Sequence, residues 1–295
     1  GDSRGLRISP EQVVVFPGSK PIIGFSQQVY CNPMDEVIYP SPGYSIYESF
    51  TKYVGAVPKP LFLKEEEGFA LNPKRLEEII SPRTRLIFLN FPSNPTGVVP
   101  TRDELEAISE VILKKCPPYI RVFSDEIYES IVFDGKPHLS IASIPGMEKK
   151  TIIVGSVSKT FSWSGGRVGY AVFPTKEEAL IFKDMNLNYF SCVPPYNQEG
   201  ARYAMENPLS QMHIKEKQQT FQKRRDEALE KLKENPLLSC HTPDGAFYLF
   251  PNVSKVCEKL GIFDVYKQLT GEEREVLSPS TIFQLFLLFN YQVAV

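Results

Sequence analysis

Apolar positions along this chain alternate between two textures. Short runs rich in Val, Ile and Phe occur at Val13–Phe16, 36–39, 85–90 (RLIFLN), 121–124, 151–155 (TIIVG) and 169–173 (GYAVF), and they predict strands. Turn-forming residues end the first three: Pro17-Gly18-Ser19-Lys20, then Pro40-Ser41-Pro42-Gly43, then Pro92 and Pro95. Helical patterns lie between the runs. In 101–114, Leu105, Ile108, Val111 and Ile112 recur at helical spacing behind a Thr101-x-x-Glu104 capping signature. Strands alternating with helices predict an α/β fold: a mostly parallel sheet sandwiched by helices and joined by right-handed crossovers.

The texture changes after about residue 205. Residues 208–234 are charged, with a sparse apolar face of Phe221, Ala228 and Leu232, and predict one long, partly exposed helix. A strand is expected at 245–250 (GAFYLF), a helix at 253–269, and a core strand or helix in the apolar stretch 282–295. The pattern divides the chain into a large domain over 1–207 and a linking helix plus a partial, smaller α+β domain over 208–295.

Composition narrows the function classes. The chain has 295 residues, 42% of them hydrophobic, and a net charge of −2, so a substantial core is possible and a disordered tail is excluded. Lys+Arg 33 against Asp+Glu 35 makes no field that would draw nucleic acid. The five cysteines are widely spaced without a C-x-x-C pair, which argues against a disulfide framework or zinc site and fits a reducing, cytoplasmic setting. Residues 1–10 lack the apolar core of a signal peptide, and 282–295 is too short for a membrane span. His138, His213 and His241 have no metal-like or triad-like spacing and read as structural or exposed, so no metal is expected.

Polar residues of unusual type gather at the expected strand ends, where ligands sit in open α/β sheets. Asn94-Pro95-Thr96-Gly97 follows RLIFLN. Asp125 closes VFS, with Tyr128 three residues on. Ser156-x-Ser158-Lys159 follows TIIVG, and Arg167 lies eight beyond the lysine in GGRVGY. Singly, each has a plain reading: a turn, a helix cap, a solvated charge. Their order and common location carry the weight.

The series NPTG, DEIY, SVSK and GGRVGY resembles the class I/II aminotransferases, pyridoxal-phosphate enzymes of the aspartate-aminotransferase fold (fold type I). The resemblance implies Lys159 as the Schiff-base lysine, Asp125 as partner of the pyridine nitrogen, and Asn94 and Tyr128 as donors to the cofactor's phenolic oxygen. It implies Ser156, Arg167 and the Gly18-Ser19-Lys20 loop as the phosphate site, with Tyr44 stacked on the ring. The implied reaction exchanges an amino group between an L-amino acid and a 2-oxo acid. Related carbon–sulfur lyases and a non-catalytic cofactor-binding remnant are the alternatives, because these motifs secure the cofactor rather than the fate of the substrate. A homodimer without nucleic-acid or membrane partners is likewise implied.

Physical chemistry supports these roles. An amine that must react with an aldehyde has to be neutral, and burial together with a neighbouring cation such as Arg167 is expected to lower the Lys159 pKa. A buried carboxylate keeps a ring nitrogen protonated, which Asp125 is placed to do. A planar guanidinium and amides at a helix start suit a phosphate. Against the family pattern, the chain is expected to be truncated at both ends: no residue after Arg274 supplies the arginine that grips the substrate carboxylate, and the helices before the first strand are absent. Turnover is then expected to be impaired, and the side-chain pocket around 186–195 marks no substrate preference.

Overall fold

The structure, a computed structural model, describes residues 4–294. The start of the polar leader and the last residue of the apolar tail, on which two of the sequence readings touch, lie outside the described residues. Two compact units are formed, the first through Arg225 plus Thr242–Leu249, the second from Asp226–His241 and Phe250 onward. The division thus falls later than the expected 207/208 boundary. It lies within one helix, and residues 242–249 return to the first unit because backbone bonds hold them there: Phe133 N–H donates to Asp244 O and Ala246 N–H to Ile131 O.

The first unit is built on a seven-stranded sheet, ordered β1-β7-β6-β5-β4-β2-β3. The strands are β1 (Val13–Phe16), β2 (Glu36–Ser41), β3 (Val57–Phe62), β4 (Thr84–Asn90), β5 (Arg121–Asp125), β6 (Thr151–Ser156) and β7 (Gly169–Val172). Strands β3, β2, β4, β5 and β6 run parallel, and β7 is antiparallel to both β6 and β1. Five of the expected runs are centred where these strands lie, and the sixth is β1 itself. The strand that sequence did not reveal is β3, because its VPKPLF pattern carries Pro58 and Pro60. Those prolines are tolerated at the sheet edge, where with Lys59 they leave a poor template for further pairing.

Successive side chains of a strand point to opposite faces, so a sheet covered on both sides needs a continuous apolar run. In β4, Leu86 and Phe88 join one core with Phe16, Val37, Phe123 and Val154, while Ile87 and Leu89 join another with Ile38, Leu105, Ile108 and Val122. Helices α1 (Lys20–Tyr30) and α2 (Ile46–Tyr53) contribute to the first core; α3 (Pro73–Ile79) and α4 (Arg102–Lys115) to the second. The capping box forms as read: Thr101 Oγ1 accepts from Glu104 N–H at 3.3 Å, and Glu104 Oε2 accepts from Thr101 N–H at 2.7 Å. The short α5 (Val157–Thr160) follows β6, and α6 (Lys176–Phe190) and α7 (Pro195–Glu206) precede the long α8 (Pro208–Lys233).

Two segments differ from expectation. GAFYLF is irregular rather than a strand: one bridge joins Gly245 to Val132, and Ala246 at φ 60° breaks the pleat. The expected helix at 253–269 is two helices, α9 (Ser254–Lys259) and α10 (Ile262–Gln268), parted at Gly261, whose φ of 69° ends the first. The second unit also holds the pair β8 (Ser239–Cys240) and β9 (Pro251–Asn252), with α11 (Gly271–Val276) and α12 (Pro279–Tyr291). The apolar tail is helical as far as Tyr291. No described helix is long and apolar enough to cross a membrane.

Candidate active site

Parallel strands β4, β5 and β6 end side by side, which brings Asn90, Asp125 and Ser156 to one edge of the sheet. A cleft of about 240 Å³ opens there. Ser19, Lys20, Tyr44, Asn94, Asp125, Tyr128, Ser156, Lys159 and Arg167 line it, so nine of the ten residues named from sequence share one cavity. The tenth, Gly18, stands behind Arg167.

Gly18 is there for a steric reason. Its φ is 91°, and a Cβ built on it would come within 2.1 Å of Arg167 Nη2. Gly169 is equally constrained, since its Cβ would meet Ser19 N at 2.5 Å. The bare turn lets Arg167 lie against the chain, donating to Ser164 O at 3.0 Å and Pro17 O at 3.3 Å. Helix α1 begins immediately after, with Pro21 in its first turn and no side-chain cap from Ser19. Its positive end and the Lys20 and Arg167 cations converge on one side of the cleft, a donor set suited to a dianionic phosphate. Ser156 Oγ lies at 2.9 Å from Ser158 Oγ and accepts from Ser158 N–H at 3.1 Å, fixing the start of α5.

Across the cleft, Asp125 is buried, and burial pushes its pKa from 3.8 up to about 6 against the lowering effect of hydrogen bonds from Tyr47 and the Ile127 amide. Tyr47 Oη donates to Oδ2 at 2.8 Å, while Oδ1 is buried without a partner among the described residues. An unsatisfied buried acceptor on a cavity wall fits a group that donates to it, such as a protonated pyridine nitrogen. Asn90 locks the neighbouring loop: its amide donates to Asp125 O at 3.0 Å, and its Oδ1 accepts from Asn94 N–H at 2.8 Å.

Lys159 projects from α5, half-buried, with Nζ 5.1 Å from the Phe247 ring centroid and 5.8 Å from that of Tyr128. Burial lowers its pKa. Of the two causes expected from sequence, burial is the one at work. The carbonyls after it are held by Lys217 of α8, whose Nζ donates to Lys159 O at 2.7 Å and also to Thr160 O. Tyr128 is buried, with its hydroxyl 2.6 Å from that of Tyr248, and burial and Tyr248 both raise its pKa. Tyr44 lies edge-on to Tyr47, with centroids 5.7 Å apart.

Sequence reasoning missed Asn90, Tyr47, Tyr248 and Lys217. Asn90 had a signal, since it ends the RLIFLN run; the others depend on contacts between distant segments. His138 is half-buried against Glu126. Its Nε2 lies 3.1 Å from Glu126 Oε2, and Arg4 Nε donates to the same oxygen at 2.7 Å and Nη2 to Glu129. Glu126, Glu129 and His138 are close enough to share a cation, and Arg4 forms ion pairs with both glutamates. With His138 and Ser140, Arg4 holds Glu126 at a pKa of about 2 despite its burial.

Residues 1–285 match the family model for aminotransferase class I and II. The chain is 36% identical over 288 residues to the aspartate aminotransferase of Bacillus subtilis, covering 95% of this chain and 71% of that one. It is 36% identical over 257 residues to a probable aspartate/prephenate aminotransferase of Aquifex aeolicus, covering 87% of this chain and 64% of the relative, so it spans about two thirds of such proteins. The crystal structure of the aspartate aminotransferase from Rhizobium meliloti superposes with a TM-score of 0.87 at 30% identity, covering 100% of this chain and 70% of that one.

Proposed function

The chain belongs to the class I and II aminotransferases, pyridoxal-phosphate-dependent transaminases, and on that premise we propose that its cleft holds the cofactor and exchanges the amino group of an acidic L-amino acid with a 2-oxo acid. One observation carries the assignment: Lys159, an unsatisfied Asp125 oxygen and the Arg167 cation share one small cavity at the strand ends. When bound, the cofactor supplies an aldehyde that condenses with amines and a ring that accepts electrons. Arg167, Lys20, Ser156 and the Ser19 turn would hold its phosphate, and Asp125 would pair with its ring nitrogen. Asn94 and Tyr128 would serve its phenolic oxygen, and Tyr44 would stack on its ring.

Lys159 needs a neutral amine, which burial favours by removing water from the ammonium. With the cofactor bound, Lys159 Nζ would be the base positioned to take the proton from the substrate Cα. Asp125, ionised when a donor faces Oδ1, holds a proton on that donor. The acidic substrate is inferred from the activities that the relatives' names carry. We further propose a cytoplasmic homodimer. An apolar groove of Phe25, Phe50, Tyr53, Tyr189 and Phe190 also takes in Lys20 and Arg167 and is therefore continuous with the cleft. A second copy covering that groove would also border the cofactor.

The test is the absorption spectrum of the purified chain titrated with pyridoxal phosphate, beside the Lys159→Ala variant. A band near ~400 nm, absent from the variant and bleached by aspartate, is expected for a lysine imine. No band, or the same band in both proteins, would refute the assignment.

A further inference from the structure

Tyr47 lies on α2, 78 residues from Asp125 in sequence, yet its side chain is fully buried and its hydroxyl meets the carboxylate at 2.8 Å. Three contacts fix it. Its ring stacks on Phe88 of β4, with centroids 4.4 Å apart and planes 15° apart. Tyr44 packs edge-on at 89°. Its carbonyl accepts from Thr51 Oγ1 at 2.7 Å and from Gln27 Nε2 at 3.3 Å. A phenol so buried keeps its proton, because burial and the adjacent carboxylate both raise its pKa, so it is a permanent donor.

We propose that Tyr47 is the positioning residue for Asp125: it occupies Oδ2 and fixes the carboxylate plane, leaving Oδ1 as the oxygen presented to the ring nitrogen of the bound cofactor. This rests on the cofactor assignment above. A carboxylate that accepts only from a ligand can rotate about its terminal bond, whose torsional preference is broad. The buried, stacked Tyr47 hydroxyl, with the Ile127 amide beside the same carboxylate, removes that freedom before the ligand arrives, which is preorganisation in the physical sense. The charged and titratable groups around the pair do not duplicate this donor. Glu126 turns to Arg4 and His138. The Tyr128 hydroxyl pairs with that of Tyr248 at 2.6 Å. Tyr44 meets Tyr47 through its ring. Lys20, Lys159 and Arg167 line the cleft, and among the described residues none of them bonds to the Asp125 carboxylate.

Tyr47→Phe removes the hydroxyl and keeps the ring. Two readouts are taken on apo protein: the pH titration of the Asp125 carboxyl carbon by NMR, and the Kd for pyridoxal phosphate from pH 5 to 9. Loss of a donor to the anion raises the carboxyl midpoint above the wild-type value, expected near 6, by about one pH unit. The Kd at pH 7 weakens by about tenfold and recovers part of the way by pH 9, as the carboxyl ionises again. Phe88→Leu keeps the hydroxyl but removes the stacking partner and is expected to shift both readouts the same way by a smaller amount, so the idea stays testable if Tyr47→Phe folds poorly. An unchanged midpoint and Kd in the folded variants would overturn the positioning role while leaving the cofactor assignment standing. Wild-type protein that binds no pyridoxal phosphate would overturn both.

Discussion

Replacing Gly18 by alanine should weaken cofactor binding through a single misplaced methyl group. At φ 91° any residue with a Cβ is strained, by about 1–2 kcal/mol for left-handed backbone. The added Cβ would also lie 2.1 Å from Arg167 Nη2 and 2.8 Å from its Cζ, well inside the ~3.5 Å at which such atoms rest. The guanidinium must swing away by more than about 1 Å, because the turn behind it is pinned against Gly169. Arg167 then loses its bonds to Ser164 O and Pro17 O and its aim into the cleft. One charge-assisted contact to phosphate is worth about 1.5–3 kcal/mol, or roughly 10- to 100-fold in Kd. Gly135 is the matched control: its φ is 70° and nothing lies within 4 Å of a Cβ there. Urea unfolding should show both alanine variants destabilised by the backbone cost of about 1–2 kcal/mol. Titration with pyridoxal phosphate should show only Gly18→Ala weakened. A Gly18→Ala protein that binds as wild type, or a Gly135→Ala protein weakened as much, would refute the steric reasoning.

Asp125→Asn should stabilise the apo protein at pH 8 by up to about 3 kcal/mol, since a folded pKa of about 6 against 3.8 is a gap of about two pH units. The sign is that of a raised acid: wild-type stability falls as pH climbs from about 4 to 6, so the advantage of the variant should vanish below pH 4 in denaturant titrations. Glu126 works in the opposite sense. Its pKa of about 2, lowered against burial by His138, Arg4 and Ser140, contributes stability above pH 4.5 that is lost as pH falls toward 2; Glu126→Gln should therefore flatten that acid limb. Lys217→Met should cost about 1–2 kcal/mol in unfolding, by leaving the Lys159 and Thr160 carbonyls without their donor. Unfolding indistinguishable from wild type would show that water replaces that donor.

The places of the strand ends were legible from the residues alone, and the chemistry assigned to them came from the resemblance of the four motifs to the aminotransferases. The fully buried strands β4, β5 and β6 announce themselves as continuous apolar runs, because both faces of a covered sheet must be apolar. Asp125, Ser156 and Lys159 were legible for the same reason, since a strand end is where such a run stops. Where the sequence pattern was misleading, local geometry had overruled composition: prolines disguised the edge strand β3, Ala246 at positive φ broke GAFYLF, and Gly261 divided a helix.

Only the tertiary structure could decide what stands against those residues. Tyr47 meets Asp125 across 78 positions, Tyr128 meets Tyr248 across 120, and Lys217 reaches the carbonyl of Lys159 across 58. No periodicity encodes such pairings, because they follow from the direction in which each crossover returns and the face each side chain then presents. The same holds for Gly18: sequence shows a turn, but that the missing Cβ makes room for Arg167 follows only once β7 is laid beside β1. Sequence therefore determined which groups line the sheet edge, and the fold determined which of their atoms are held and which are left open to a ligand.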